Sequence, residues 1–331
     1  MEGKLVEIEV DSPALAGNPL GDPSRRLVLA WVPPGAKGPL PAVYFLHGFS
    51  GSARGWQNVS MLAPTIPERI DALVASGEVA PFVAAFPDGV TALGGTQWTN
   101  APAVGRYQDY VAEDVVRAVE ARLGTIPRRE ARAVVGKSSG GYGALRLGRD
   151  RPDVFSLLGV HAGDAFFEYC YLPDFPKAAA ALLGTDPASW LEAMRARARE
   201  TRMRDADHAV LNVLAMAAHY SPRAGAPLGL ELPFDPGSGA LRPEVWERWL
   251  ACDPVRFVPR HPEAFRRLST AFVDCGTRDE FQLRWGARMV ARALSEAGVA
   301  VTHEEFDDGH FGIDYRYERS LSVIAPRLAR E

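Results

Sequence analysis

The chain has 331 residues, 47% of them hydrophobic, which is ample for one large core or two modest ones. A formal net charge of −4 gives no reason to expect nucleic acid or an anionic membrane as a partner. The three cysteines, Cys170, Cys252 and Cys275, are an odd number without C-x-x-C spacing, which argues against a disulfide framework and a thiolate metal site.

The N-terminal stretch MEGKLVEIEV is charged and alternating where a signal peptide needs an apolar run. No apolar segment approaches the roughly 18 residues of a membrane span, so the expectation is a soluble cytoplasmic protein. Eight strand-like runs follow: Lys4–Val10, Arg26–Val32, Ala42–His47, Pro81–Phe86, Ala131–Val135, Val154–His161, Thr270–Cys275 and Val299–Phe306. The first two alternate or carry polar flanks, as an antiparallel edge pair does. The other six read as near-continuous apolar runs, the mark of strands buried on both faces of a parallel sheet. Between them, Tyr110–Leu123 spaces Val111, Val115, Ala118, Val119 and Arg122 helically. Phe281–Ala297 does the same with Leu283, Ala287, Val290, Ala291 and Leu294, with Gly298 as its stop. The alternation predicts an α/β fold around an open, mostly parallel sheet in a single domain, 1–331.

The rhythm breaks between the sixth and seventh strands. About a hundred proline-rich residues, 163–267, are too many for an ordinary crossover and read as an inserted helical cap. Within it, Arg195–Arg204 (RARARETRMR) could suggest an anionic partner. The acids around it, Glu192, Glu200, Asp205 and Asp207, favour a solvated helix face.

The stretch ARAVVGKSSGGYG, 131–143, admits two enzymes. A phosphate-cradling loop needs turning residues before the G-K pair, yet Ala131–Val135 looks like the strand itself and lacks glycine. A nucleophile elbow needs a strand, a sharp turn with small residues two places either side of a serine, and then a helix. Ser138, between Gly136 and Gly140, satisfies that requirement; Ser139 would have Lys137 on one side. A serine hydroxyl needs a base held by a carboxylate, in the order Ser, Asp or Glu, His for this arrangement. Asp279 follows the seventh strand in CGTRDEF, and His310 follows the eighth in DDGHFG. His303 lies within a strand, and His208 and His219 fall in the insertion. The oxyanion would be held by the backbone N–H of Ser139 and of Phe49, the latter in the turn HGFSG after the third strand. Two aromatic-rich loops beyond carboxyl strand ends, 95–100 and 164–172, nominate Trp98, Asn100, Phe166, Phe167 and Tyr169 as the substrate pocket.

HGFSG, GKSSGGYGAL, GTRDEF and DDGHF, in this order, resemble the putative-esterase (esterase D) family of α/β-hydrolases, which includes S-formylglutathione hydrolases, feruloyl esterases and mycolyltransferases. The resemblance spans about Arg25 to Leu328 apart from the insertion. It implies an eight-stranded α/β-hydrolase sheet and the roles argued above for Ser138, Asp279 and His310. Lys137 stands where many relatives carry histidine, and the insertion exceeds that of the formylglutathione hydrolases. The expected activity is hydrolysis of small, short-acyl carboxylic esters through an acyl-enzyme, with no cofactor or metal and a small-molecule ester as partner; the sequence leaves a homo-oligomer open. An acyltransferase or thioesterase would use the same residues, and a binding module could keep the fold without the activity.

Overall fold

A computed structural model describes residues 1–35, 38–201 and 204–331. β1 (Lys4–Asp11) pairs antiparallel with β2 (Arg25–Val32), and β2 pairs antiparallel with β4 (Val83–Pro87). From there every pairing is parallel: β4 with β3 (Ala42–Leu46), then β5 (Arg132–Lys137), β6 (Leu157–His161), β7 (Thr270–Gly276) and β8 (Val301–Phe306). The sheet order is β1-β2-β4-β3-β5-β6-β7-β8. The chain leaves β3 toward β4 on one side, whereas its next strand, β5, lies on the other side. Loops leaving the adjacent ends of β3 and β5 therefore diverge and open a crevice between them.

Alternation divides each buried strand between two cores. Val43 and Phe45 face one side with Phe86, Val135 and Phe272, while Tyr44 and Leu46 face the other with Val134 and Val273. The longer helices that cover these faces are α1 (Ile66–Ala75), α2 (Val116–Leu123), α3 (Ser139–Asp150), α4 (Asp205–Tyr220), α5 (Leu283–Glu296) and α6 (Arg316–Ile324). α1 and α6 close the first face through Ile66, Ile70, Tyr317, Leu321 and Ile324. The second face takes α3, α5 and the insertion.

β8 departs from the expected apolar strand. His303 is exposed and its other residues are half-buried, because β8 is the sheet edge. Its glutamates pair outward, Glu304 with Arg316 and Arg319 and Glu305 with Arg288. Such charges discourage pairing with another chain's strand. The predicted helix at 110–123 is π-helical over Tyr110–Val115 before α2, and Gly124 ends it at φ 64°. The helix predicted from Phe281 begins two residues later, at Leu283, for a reason that belongs to the site.

Residues between β6 and β7 form helices at Phe175–Leu182, Pro187–Glu200, α4, Pro243–Ala251 and Pro254–Arg260. Prolines occupy the first turn of four of them, where the missing N–H costs nothing. Their interior is continuous with the sheet's second core: Phe175 packs edge-on against Trp246 and Trp249, and Trp249 against Tyr220. Of the basic run 195–204, Arg202 and Met203 lie outside the described residues. Arg197 turns inward to Asp207 at 2.5 Å. Among the described residues no helix is long and apolar enough to cross a membrane.

Candidate active site

Between β5 and α3 the backbone passes through Ser138 at φ 56°, ψ −125°. That region costs a serine on the order of 1–3 kcal/mol and persists only where its surroundings enforce it. Here Ser138 N donates to His161 O at 2.9 Å, and Ser138 O accepts from Tyr142 N at 2.9 Å. The sharpness of the turn leaves no space for side chains beside it. A Cβ on Gly136 would lie 2.4 Å from the Gly140 carbonyl, and one on Gly140 would lie 2.0 Å from Leu46 O. The glycine spacing of the motif is therefore a steric necessity.

Asp279 sits past the end of β7, buried, and carries three hydrogen bonds. Oδ1 accepts from Phe281 N at 2.9 Å and Leu283 N at 3.2 Å, and Oδ2 lies 2.8 Å from His310 Nδ1. The two backbone bonds fold 279–283 into a turn, which delays the start of α5 to Leu283. His310 is fixed by three further contacts: its own N–H donates to Glu280 Oε2 at 2.6 Å, and its ring meets Phe281 and Phe311 edge-on. Asp274, five residues earlier in β7, faces a different partner. Its Oδ1 lies 2.7 Å from His161 Nδ1 and its Oδ2 accepts from Arg316 Nε at 2.8 Å, all within the interior.

The turn after β3 is built around His47. Its Nε2 accepts from Gly89 N at 2.9 Å, so Nδ1 carries the proton and donates to Gly48 O at 2.9 Å. Burial holds the His47 pKa below its ordinary value, consistent with this neutral tautomer. Trp98 packs edge-on against the ring and donates from Nε1 to His47 O at 3.0 Å. Gly48 comes so close to the elbow that a Cβ there would lie 3.3 Å from Ser138 Cβ. Phe49 N donates to no described residue. Ser139 N, in the first turn of α3, has no intrahelical acceptor. Two N–H donors thus flank Ser138 without partners among the described residues.

Ser138, His310, Phe49 and Ser139 line one cavity that opens in part to solvent. Phe281, Leu283, Phe311, Cys170 and Tyr171 supply its apolar walls; Asp164, His208, Asn212 and Ser50 add polar ones. In this structure the Ser138 hydroxyl donates to Asp164 Oδ1 at 3.2 Å rather than to His310. Asp164 Oδ2 accepts from Ser139 Oγ at 3.2 Å, Gln97 Nε2 at 3.2 Å and Tyr171 OH at 2.8 Å. Lys137, second in the elbow, turns toward a neighbouring groove, its Nζ 5.4 Å from the centre of the Phe311 ring. Burial lowers the Lys137 pKa, opposed by Asp314, Asp279 and Glu280. Among the described residues no three His, Cys, Asp or Glu side chains gather as metal ligands would.

The family described as putative esterase matches residues 24–312. The chain belongs to that family. It is an ester hydrolase. Solved structures similar to this esterase include a ferulic acid esterase (18% identity, TM-score 0.63, 99% of both chains covered). Another is an S-formylglutathione hydrolase from Agrobacterium tumefaciens, at 17% identity and TM-score 0.59, covering 99% of this chain and 96% of that one. A third is the fluorophosphonate-binding serine hydrolase F of Staphylococcus aureus, at 13% identity and TM-score 0.55, with both chains covered in full. At these identities the likeness is one of fold, the α/β-hydrolase fold.

The residues nominated from the aromatic-rich loops lie elsewhere in the esterase. Trp98 is buried behind the His47 turn, and Asn100 is exposed, its Oδ1 accepting from Gln108 N and Asp109 N. Phe166 and Tyr169 pack on each other with their rings tilted by 35°, Tyr169 being 48% exposed, while Phe167 is packed among Tyr142, Tyr171 and Tyr220. None of the five lines the cavity. The physical reason is Asp253, which accepts from Phe166 N and Phe167 N at 2.9 Å each. It fixes Phe166 at φ 62° and winds 167–170 into a helical turn, so that Cys170 and Tyr171 reach the cavity wall instead. From α4, His208 and Asn212 also reach it. Their spacing of four, continued by Met216 and then, three residues on, by His219, marks one helix face; it is the sequence signal for them.

Proposed function

We propose that this esterase works by nucleophilic catalysis from Ser138 on small, short-acyl esters. Ser138 Oγ attacks the ester carbonyl carbon while its proton passes to His310 Nε2. Asp279 holds the imidazole through Nδ1–H and stabilises the imidazolium that results. The tetrahedral oxyanion lies against Phe49 N–H and Ser139 N–H. On its collapse the C–O bond to the alcohol breaks and His310 returns the proton to the leaving oxygen. Water, deprotonated by His310, then hydrolyses the acyl-enzyme. The observation that carries this reading is the strained Ser138 elbow opening on the same cavity as a histidine whose Nδ1 is bound to a buried carboxylate. Before substrate binds, nucleophile–base contacts are often loose, so the Ser138–Asp164 bond is compatible with it.

The enclosing residues His208 and Asn212 of α4, with Phe49, Phe281 and Phe311, support a short acyl group; here the insertion acts as a cap. A fluorophosphonate probe should label the wild type and Ser139→Ala at Ser138, and should not label Ser138→Ala. Across p-nitrophenyl acetate, butyrate, octanoate and palmitate, kcat/KM should peak at acetate or butyrate. Labelling of Ser138→Ala would remove the nucleophile assignment, and a maximum at octanoate or longer would remove the short-acyl assignment.

A further inference from the structure

The other buried carboxylates in this chain meet a guanidinium or backbone N–H donors: Asp114 meets Arg117, Asp207 meets Arg197, Asp253 meets Arg256 and Asp274 meets Arg316, while Asp71 and Asp279 each accept from two backbone N–H groups. Asp164 departs from that pattern. It is buried at the cavity wall, and its hydrogen-bond partners, Ser138, Ser139, Gln97 and Tyr171, are all uncharged. Burial holds its carboxyl above the usual carboxylate range, against its hydrogen bonds and the His310 ring. A buried carboxylate without a counter-ion is costly unless something supplies the missing charge.

Its position in the fold shows where that charge would come from. Gly163 and Gly141 touch, so that a Cβ on Gly141 would lie 2.8 Å from Gly163 Cα, and Asp164 N reaches Ser138 O at 3.4 Å. The carboxylate is thereby held against the elbow, with Oδ1 3.2 Å from Ser138 Oγ. In an acyl group bonded to Oγ, a substituent on the α-carbon is three bonds from Oγ, about 3 Å away. Rotation about the bond between the carbonyl carbon and the α-carbon can carry it to within hydrogen-bond reach of Oδ1. Tyr171, Phe281 and Phe311 line the same cavity and add no positive charge that would compete for Asp164.

We propose that Asp164 is the counter-ion for the acyl group of the substrate, so that this esterase takes esters of small α-amino acids, the α-ammonium donating to Asp164 Oδ1 in place of the Ser138 hydroxyl. The inference rests on Ser138 as nucleophile. It also gives the resting Ser138–Asp164 bond a role: the arriving ammonium displaces the hydroxyl, which turns to His310. Asp164 is then a specificity-determining residue. Asparagine at this position would keep an oxygen toward Ser139, Gln97 and Tyr171 and turn its NH₂ toward the ammonium, replacing attraction by a donor–donor clash.

The test compares methyl esters of L-alanine, lactic acid and propionic acid, with methanol release followed in wild type and Asp164→Asn. Because intrinsic reactivity cancels between enzymes, the readout is the alaninate-to-propionate ratio of kcat/KM. It should fall about 30-fold or more in Asp164→Asn. A merely structural role would lower both esters together and leave the ratio unchanged, which overturns the proposal. A ratio that falls only for lactate overturns the charge assignment. In wild type alone, alaninamide should inhibit p-nitrophenyl acetate hydrolysis competitively and far better than propionamide. Equal inhibition refutes the site even if the variant does not fold. Turnover of propionate without these preferences, by an enzyme that the fluorophosphonate probe labels and inactivates at Ser138, removes the inference and leaves the nucleophile; failure of labelling and of every ester removes both.

Discussion

Two aspartates, Asp274 within β7 and Asp279 just past its end, separate the proposed catalytic use of a His–Asp pair from a structural one. In Asp279→Asn, Phe281 N and Leu283 N still require an oxygen at the Oδ1 position. The new NH₂ must then face His310 Nδ1, at 2.8 Å in the parent. Two donors cannot share that contact, so the imidazole moves its proton to Nε2 and can no longer accept one from Ser138. The expected loss is about 10⁴ in kcat, or about 5 kcal/mol of transition-state stabilisation. Stability should fall by only about 1 kcal/mol, since one hydrogen bond of three is lost. Asp274→Asn reverses the pattern. Asp274 carries no solvent exposure and pairs with both His161 and Arg316, so neutralising it leaves a buried guanidinium undercompensated. That should cost about 3 kcal/mol or more and lower Tm by roughly 5 °C, with kcat in the folded fraction largely kept. Steady-state hydrolysis of p-nitrophenyl acetate and thermal unfolding followed by circular dichroism read the two effects separately. An Asp279→Asn enzyme within tenfold of wild type, or a natively stable Asp274→Asn enzyme as inactive as Asp279→Asn, would refute the reasoning.

Gly140→Ala places a Cβ 2.0 Å from Leu46 O, a contact only backbone movement relieves; it should destabilise by about 1–3 kcal/mol and abolish most esterase activity, and a variant with native Tm and kcat would show that the elbow is not so constrained. His219 is buried with Nε2 accepting from Gln97 N at 3.3 Å, and burial lowers its pKa to about 3. Since the folded pKa lies below the unfolded value of 6.5, its contribution is complete above pH 6.5 and is lost as pH falls from there toward 3. Stability should therefore drop by about 2 kcal/mol between pH 7 and pH 5, and His219→Gln should show a shallower fall in Tm over that range; an unchanged fall would place the titration elsewhere.

Much of the site follows from local rules that need no partner. A serine forced to positive φ between a buried strand and a helix demands glycine at 136 and 140, and that demand is written in five consecutive residues. Asp279 and His310 were readable because each follows a strand end, and the parallel sheet carries such ends to one edge. Strand periodicity likewise distinguished the antiparallel β1–β2 pair from the buried parallel strands, and failed at β8, where an edge position replaces burial with outward-facing glutamates. The pocket walls were not readable in that way. Whether Phe167 or Tyr171 lines the cavity depends on Asp253, which is 86 positions from Phe167 and ties the loop into a helical turn. Whether Asp164 touches Ser138 depends on two glycine backbones, 141 and 163, meeting between different elements. His161 was one apolar-run residue among others until the sheet set it beside Asp274. Backbone strain and strand order are properties of short segments and their sequence spacing, whereas the walls of a cavity are a sum of long-range contacts that only the packed tertiary structure decides.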